Sequence, residues 1–75
     1  MIEDEKRRLE VDQLKAEIQH AEEQLARDKE LVQSFEEMPD SEEKRTGLQI
    51  AKRDMALTER RLAEKRQALK ALLGN

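Results

Sequence analysis

The sequence contains no cysteine and only one aromatic residue, Phe35. Without cysteine the chain can form neither disulfides nor thiolate metal sites, which fits a reducing compartment. A single aromatic residue among 75 supplies little of the side-chain volume from which a globular core is built. The chain is long enough for one small domain at most, and a compact globule is disfavoured.

Long hydrophobic runs are also missing. No segment approaches the roughly 20 consecutive apolar residues that a membrane-spanning helix requires. The first ten residues, MIEDEKRRLE, lack the apolar stretch of a signal peptide. We therefore expect a cytoplasmic protein that does not insert directly into a membrane.

Charged residues make up 44% of the chain, yet the net charge is only −3 because both signs are present. Abundant charge with few aromatic residues is also typical of disorder. The apolar residues of this chain, however, recur with a regular period. A composition rich in Ala, Glu, Lys, Leu and Arg with such a period indicates long helices or a coiled coil.

Two stretches of the sequence follow a heptad repeat. Steps of three and four residues through 11–35 meet apolar side chains at seven of eight positions, and Asp28 is the exception. The same steps through 48–72 meet six of eight, with Thr58 and Lys65 as the polar positions. Each stretch therefore predicts one long helix with an apolar seam.

The two seams are predicted to pair with each other as an antiparallel coiled coil. When residue i is placed opposite residue 83 − i, Phe35 faces Leu48 and Val11 faces Leu72, so both seams begin and end together. Residues 1–37 carry 12 acidic and 6 basic side chains, a balance of −6, whereas 48–75 carry 3 acidic and 7 basic, a balance of +4. Opposite charges along the two helices favour this pairing.

The segment between the seams is predicted to be a turn. Pro39 lacks a backbone N–H and therefore ends the first helix nearby. Either Asp40 or Ser41 supplies the N-cap of the second helix. Because Gly47 would cost the helix about 1 kcal/mol, a later start at Thr46 is an alternative. We predict an all-α fold, a single two-helix hairpin with these bounds: helix 3–37, turn 38–41 and helix 42–73.

Two of the polar seam positions are expected to reach water in part. In the predicted register Asp28 faces Met55, and Lys65 faces Ile18. Lysine can extend its methylenes along the apolar surface and keep its ammonium group in solvent. We interpret both residues as tolerated imperfections or as residues that set the register.

No catalytic, metal-binding or cofactor-binding residue can be proposed from the sequence. His20, the only histidine, falls on an outward-facing position and is interpreted as a solvated surface residue. The carboxylates have no apolar shell that would raise a pKa for acid–base catalysis, and two helices enclose no substrate cavity. We expect a protein that is not an enzyme and that needs no cofactor.

Nucleic acid is not an expected partner. The basic residues of the second helix are distributed around that helix instead of forming one stripe. There are no aromatic platforms on which bases could stack, and the acidic helix lies alongside.

Three apolar residues, Leu31, Ile50 and Leu57, lie outside the seam on one side of the predicted hairpin near the turn. Three arginines flank them: Arg27, Arg53 and Arg61. An aliphatic centre with an arginine rim is typical of a protein-binding surface, although single exposed leucines are ordinary on any protein. A homodimer formed through the same residues is equally compatible with the sequence.

The layout resembles the homology region 1 finger of Rho effectors, an antiparallel coiled coil found in protein-kinase-N relatives and in F-BAR adaptor proteins. The segment EIQHAEEQLARDKELVQSFEEMPD is similar to the first helix and loop of the F-BAR branch. The loop of that branch bears a Met-Gly-Asp triplet. Met38 and Asp40 match the two ends of this triplet, and Pro39 takes the place of its glycine. The Gly-Ala-Glu signature of the kinase branch is absent.

The resemblance implies a non-catalytic module that binds the GTP-loaded form of a Rho-family GTPase through the turn region and one helix face. The alternative is a structural coiled-coil element that mediates self-association or subunit assembly in a larger complex. Two of the predicted partner-binding residues follow from the resemblance and the others from their position on the hairpin. The full set is Leu31, Met38, Asp40, Ile50, Arg53, Leu57 and Arg61.

Overall fold

Two long α-helices run antiparallel along each other. The computed structural model describes residues 2–74, and in this range α1 spans Ile2–Glu37 and α2 spans Glu42–Leu72. The helices pack along their length into a hairpin of 60 × 15 × 14 Å. The predicted all-α hairpin is confirmed.

Ser41 caps the second helix. Its backbone is extended, and its Oγ accepts a 3.1 Å hydrogen bond from the backbone N–H of Lys44. Such a cap satisfies one of the backbone donors that the first turn leaves free, and it stabilises a helix by about 1 kcal/mol. The helix therefore starts at Glu42 and not at the alternative Thr46, and Gly47 lies inside it.

The C-terminus of α2 is capped by hydrogen bonds that involve Leu73 and Gly74. This glycine has a φ of 81°, in the left-handed region that favours glycine. The N–H of Gly74 donates to the carbonyl of Ala71 at 3.2 Å, and the N–H of Leu73 donates to the carbonyl of Leu69 at 3.0 Å. These bonds satisfy carbonyl groups that the last helical turn would otherwise leave without partners.

The core is the predicted seam. All sixteen seam positions, eight within 11–35 and eight within 48–72, are buried or half-buried. The residues that flank them are almost all exposed. The most deeply buried apolar side chains are Val32, Ala51 and Leu62. Burial of a Val or Leu side chain stabilises a fold by about 1.5–3 kcal/mol, so this narrow seam provides most of the stability of the hairpin.

Gly47 lets the aromatic ring of Phe35 lie directly against the backbone of α2. The carbon of a methyl group on Gly47 would lie 2.6 Å from Cζ of that ring, closer than two non-bonded carbon atoms can approach. A glycine inside a helix costs about 1 kcal/mol relative to alanine. Here it allows the single aromatic side chain to close the seam beside the turn.

The helix pairing stays close to the predicted register. Phe35 contacts Gly47 and Glu17 pairs with Lys65, and in both cases the residue numbers add to 82, one short of the predicted 83. Lys65 does not extend to solvent in front of Ile18 as expected. Its Nζ lies 2.9 Å from Glu17 Oε1, and both side chains are half-buried, because the neighbouring carboxylate offers the ammonium group a partner at the edge of the seam.

Candidate protein-binding surface

An open groove of about 770 Å³ runs along one side of the hairpin, where the two helices meet. Residues of both helices form its walls, among them Ala16, His20, Gln24, Asp54, Leu57 and Arg61. The sequence predicted His20 to be a solvated surface residue. The structure leaves this side chain exposed and places it on the wall of the groove.

The apolar residues predicted for partner binding lie on the groove side of the hairpin. Leu57 lines the groove. Ile50 precedes Leu57 by seven residues and Leu31 follows the groove residue Gln24 by seven, so both continue the same face over two helical turns. We call Leu31, Ile50 and Leu57 the apolar patch, and they are 48%, 52% and 43% exposed.

Arginine side chains border the apolar patch. Arg61 lines the groove, and Arg53 lies between Ile50 and Leu57 on the outer surface of α2. Both arginines are exposed, and neither forms an ion pair within the part of the chain that the structure describes. Their guanidinium groups are therefore free to bind carboxylates of a partner.

The two residues that the family resemblance suggested lie apart from the groove. Met38 and Asp40 belong to the turn 38–41, and neither lines the groove. Met38 is 44% exposed. The Asp40 carboxylate lies 3.5 Å from Nε of Arg45 on the surface. The seven predicted site residues therefore form a patch along the groove side and a separate pair in the turn.

Asp28 departs from the sequence prediction, because it does not reach water. The residue is 7% exposed, and its carboxylate accepts two hydrogen bonds. Gln24 Nε2 donates to Oδ1 at 2.9 Å from within α1, and Thr58 Oγ1 donates to Oδ2 at 2.7 Å from α2. The predicted neighbour Met55 offers no such donor, whereas Thr58 lies diagonally across the seam and does.

This polar network connects the seam to the surface of the hairpin. Arg27 Nη2 donates to Gln24 Oε1 at 3.0 Å, and Gln24 in turn donates to Asp28. The Thr58 hydroxyl also lies 3.0 Å from the carbonyl of Asp54, but it has only one hydrogen to donate. The shorter contact to the carboxylate is charge-assisted and stronger. One of the rim arginines is thus held by the same bonds that satisfy the buried carboxylate.

On the opposite side of the hairpin an arginine is paired with a carboxylate. Arg66 Nη2 lies 3.4 Å from Glu22 Oε2 there, and both side chains are exposed. The other large apolar side chains that are exposed in the described range lie outside the groove walls, at Leu9, Met38 and Leu73. The groove side near the turn thus combines three half-exposed aliphatic side chains with two arginines that form no ion pair within the described residues.

The described residues contain no cluster of three or more His, Asp or Glu side chains arranged to hold a metal ion. None of the helices in residues 2–74 combines the length and the apolar character that a membrane crossing requires. No protein-family model matches the chain, and no curated protein or solved structure is significantly similar to it.

Proposed function

We propose that this hairpin is a non-catalytic protein-interaction module. The observation that carries the proposal is the apolar patch, in which three large aliphatic side chains are each about half exposed on one face and have arginines at their border. Aliphatic and arginine side chains are the groups that protein interfaces bury at their centre and use to pair with carboxylates. The rigid pair of helices presents them without the need to order a loop.

The partner that we propose is the GTP-loaded form of a Rho-family GTPase, and the chain would act as its effector finger. The support for this choice is the resemblance of the hairpin to homology region 1 fingers, together with the position of the apolar patch in the half of the hairpin nearer the turn. Met38 and Asp40 extend this contact surface to the turn. The GTPase would present apolar side chains to the patch and carboxylates to Arg53 and Arg61.

A binding measurement with defined nucleotide states tests the proposal. Rho-family GTPases loaded with a non-hydrolysable GTP analogue or with GDP are titrated with the 75-residue chain in a calorimeter. We expect binding to the GTP-analogue form and at least tenfold weaker binding to the GDP form. Equal affinity for the two forms, or no binding to any member, would contradict the assignment to this partner.

Matched variants test the surface. Ile50→Asp combined with Leu57→Asp places two carboxylates in the apolar patch, and we expect at least a tenfold loss of affinity. Leu9→Asp combined with Leu73→Asp makes the same chemical change at two exposed leucines near the helix ends far from the turn and from the apolar patch, and binding should persist. Circular dichroism should show unchanged helicity in both variants. A loss of helicity in the patch variant would mean that these residues belong to the core.

A further inference from the structure

The polar residues of the seam lie together along the groove. Asp28, Thr58 and Lys65 are the polar residues among the sixteen seam positions, and all three line the groove. The remaining seam residue on its walls is the small Ala21. Polar side chains weaken a coiled-coil seam, and proteins keep such departures from the pattern where a site or a specificity requires them. The groove is therefore the part of the hairpin in which a ligand site is expected.

Asp28 carries a buried negative charge that no cation of the described residues compensates. The residue is 7% exposed, and its two hydrogen bonds come from the neutral side chains of Gln24 and Thr58. It forms no ion pair within the range that the structure describes. A carboxylate has about four acceptor positions, so these two bonds leave room for a further donor. Burial of a carboxylate is costly unless a cation pairs with it.

The cationic side chains near Asp28 are directed elsewhere. Arg27 Nη2 donates to a neighbouring amide oxygen at 3.0 Å, and Lys65 pairs with Glu17 at 2.9 Å. Arg61 lines the groove about 10 Å farther from the turn than Asp28, as the register and a rise of 1.5 Å per residue place it. It forms no ion pair among the described residues. The chain itself thus leaves the charge of Asp28 for a cation from outside.

A second carboxylate stands at the same end of the groove. Residues that face each other in the observed register have numbers that add to 82, and Asp28 and Asp54 meet this condition. Asp54 lines the groove, is exposed and has no ion-pair partner within residues 2–74. Its backbone carbonyl lies 3.0 Å from the Thr58 hydroxyl that donates to Asp28. Two carboxylates without a cation therefore flank this end of the groove.

We infer that this end of the groove binds a primary ammonium group carried on an aliphatic chain. An ammonium group has three donors and can therefore bond to Asp28 and Asp54 together. A compact charge fits better than a planar guanidinium fork, because both oxygens of Asp28 already accept a hydrogen bond. Leu57 in the adjacent wall is 43% exposed and offers aliphatic surface to the carbon chain. The inference goes beyond the GTPase proposal and does not rest on it.

Titration of the ¹⁵N-labelled 75-residue chain with n-butylamine hydrochloride, followed by ¹H–¹⁵N NMR, tests the inference. We expect saturable shifts concentrated around Asp28, Asp54 and Leu57. A Kd on the order of 1–10 mM is what a ligand of about five non-hydrogen atoms can reach. 1-Butanol, the matched control, has the same carbon chain without the charge and should bind at least tenfold more weakly. Equal binding of the alcohol, or no saturation by the amine below about 100 mM, overturns the inference.

Three carboxylate-to-amide variants test the position of the site. Asp28→Asn should weaken the binding of n-butylamine at least fivefold, because it removes the buried charge. Asp54→Asn changes an exposed side chain outside the seam, so the hairpin should stay folded, and we expect at least a threefold loss. Asp12→Asn makes the same change at an exposed carboxylate outside the groove and should leave the affinity unchanged. If Asp28→Asn loses its helicity, Asp54→Asn decides alone, and wild-type affinity in that variant overturns the two-carboxylate site.

A second ligand distinguishes the two sources of such an ammonium group, a free alkylamine and a lysine side chain of another protein. Nα-acetyl-lysine methylamide carries the same group on a peptide backbone and is titrated in the same way. An affinity equal to that of n-butylamine supports a lysine side chain as the source, and an affinity at least tenfold lower supports a free amine. Binding of either ligand should weaken between about 0.05 and 1 M NaCl, because salt screens a partly exposed ion pair. Salt-independent binding would contradict the pairing with the carboxylates.

Discussion

The hydroxyl of Thr58 donates a 2.7 Å hydrogen bond to the buried carboxylate of Asp28 across the interface between the two helices. Gln24 provides the second donor, at 2.9 Å. Neither donor is charged, so the carboxylate depends on two neutral hydrogen bonds in a seam that is otherwise largely apolar. The bond also fixes how α1 and α2 slide relative to each other, because a shift of one heptad would separate the two residues.

Thr58→Val should destabilise the hairpin. Valine has nearly the shape of threonine, but it removes the donor and leaves Asp28 Oδ2 buried without a partner, which costs about 1–3 kcal/mol. Asp28→Leu in the same chain should cancel this loss, because a well-packed apolar pair replaces a buried polar one at little or no cost. Urea unfolding followed by circular dichroism measures both effects. A Thr58→Val stability within about 0.5 kcal/mol of wild type would show that the bond is not needed.

The position of Asp28 shows where sequence reasoning reaches its limit in this fold. The spacing of apolar residues is sufficient to predict the seam, since it depends only on the period of the helix and not on the shape of each side chain. The depth at which Asp28 lies depends on which diagonal neighbour provides a donor. Thr58, the uncharged polar residue of the second seam, was the signal in the sequence. Its importance follows only from the three-dimensional packing.

Gly47→Ala should destabilise the wild-type hairpin. Alanine has the higher helix propensity by about 1 kcal/mol, but its methyl group would overlap the ring of Phe35, and overpacking costs about 1–3 kcal/mol. The sign should reverse when Phe35→Leu removes the ring, because only the propensity gain then remains. Thermal unfolding of the four chains in this cycle measures the coupling. Additive effects of the two changes would contradict the close packing of ring and backbone.

Gly47 was interpreted from the sequence only as a cost to the helix, which made a later start at Thr46 an alternative. The close approach of Phe35 explains why the helix includes the glycine, and no pattern of residue types encodes such an approach. The partner-binding surface could also be predicted only in part. The period placed the apolar patch on one side, and the structure leaves its three residues about half exposed.

Glu17→Gln should weaken the hairpin more than Glu22→Gln does. The Glu17–Lys65 pair is half-buried with a separation of 2.9 Å, whereas the Glu22–Arg66 pair is exposed at 3.4 Å. Exposed pairs contribute about 0–1 kcal/mol and are screened by salt. We expect a measurable loss for Glu17→Gln that decreases between 0.05 and 1 M NaCl, roughly from a Debye length above 10 Å to one near 3 Å. Equal and salt-independent effects of the two changes would contradict this ranking.

Ser41→Ala should destabilise the hairpin by about 1 kcal/mol. The change removes the Oγ that accepts the backbone N–H of Lys44, so the first turn of α2 loses its cap next to the turn that reverses the chain. Ser34→Ala is the matched control, because Ser34 is an exposed serine inside α1, where alanine is the better helix former. Thermal unfolding by circular dichroism should therefore give opposite signs for the two serines. If both substitutions stabilise the chain, the second helix does not depend on its cap, and the start of α2 at Glu42 would have to be explained by packing alone.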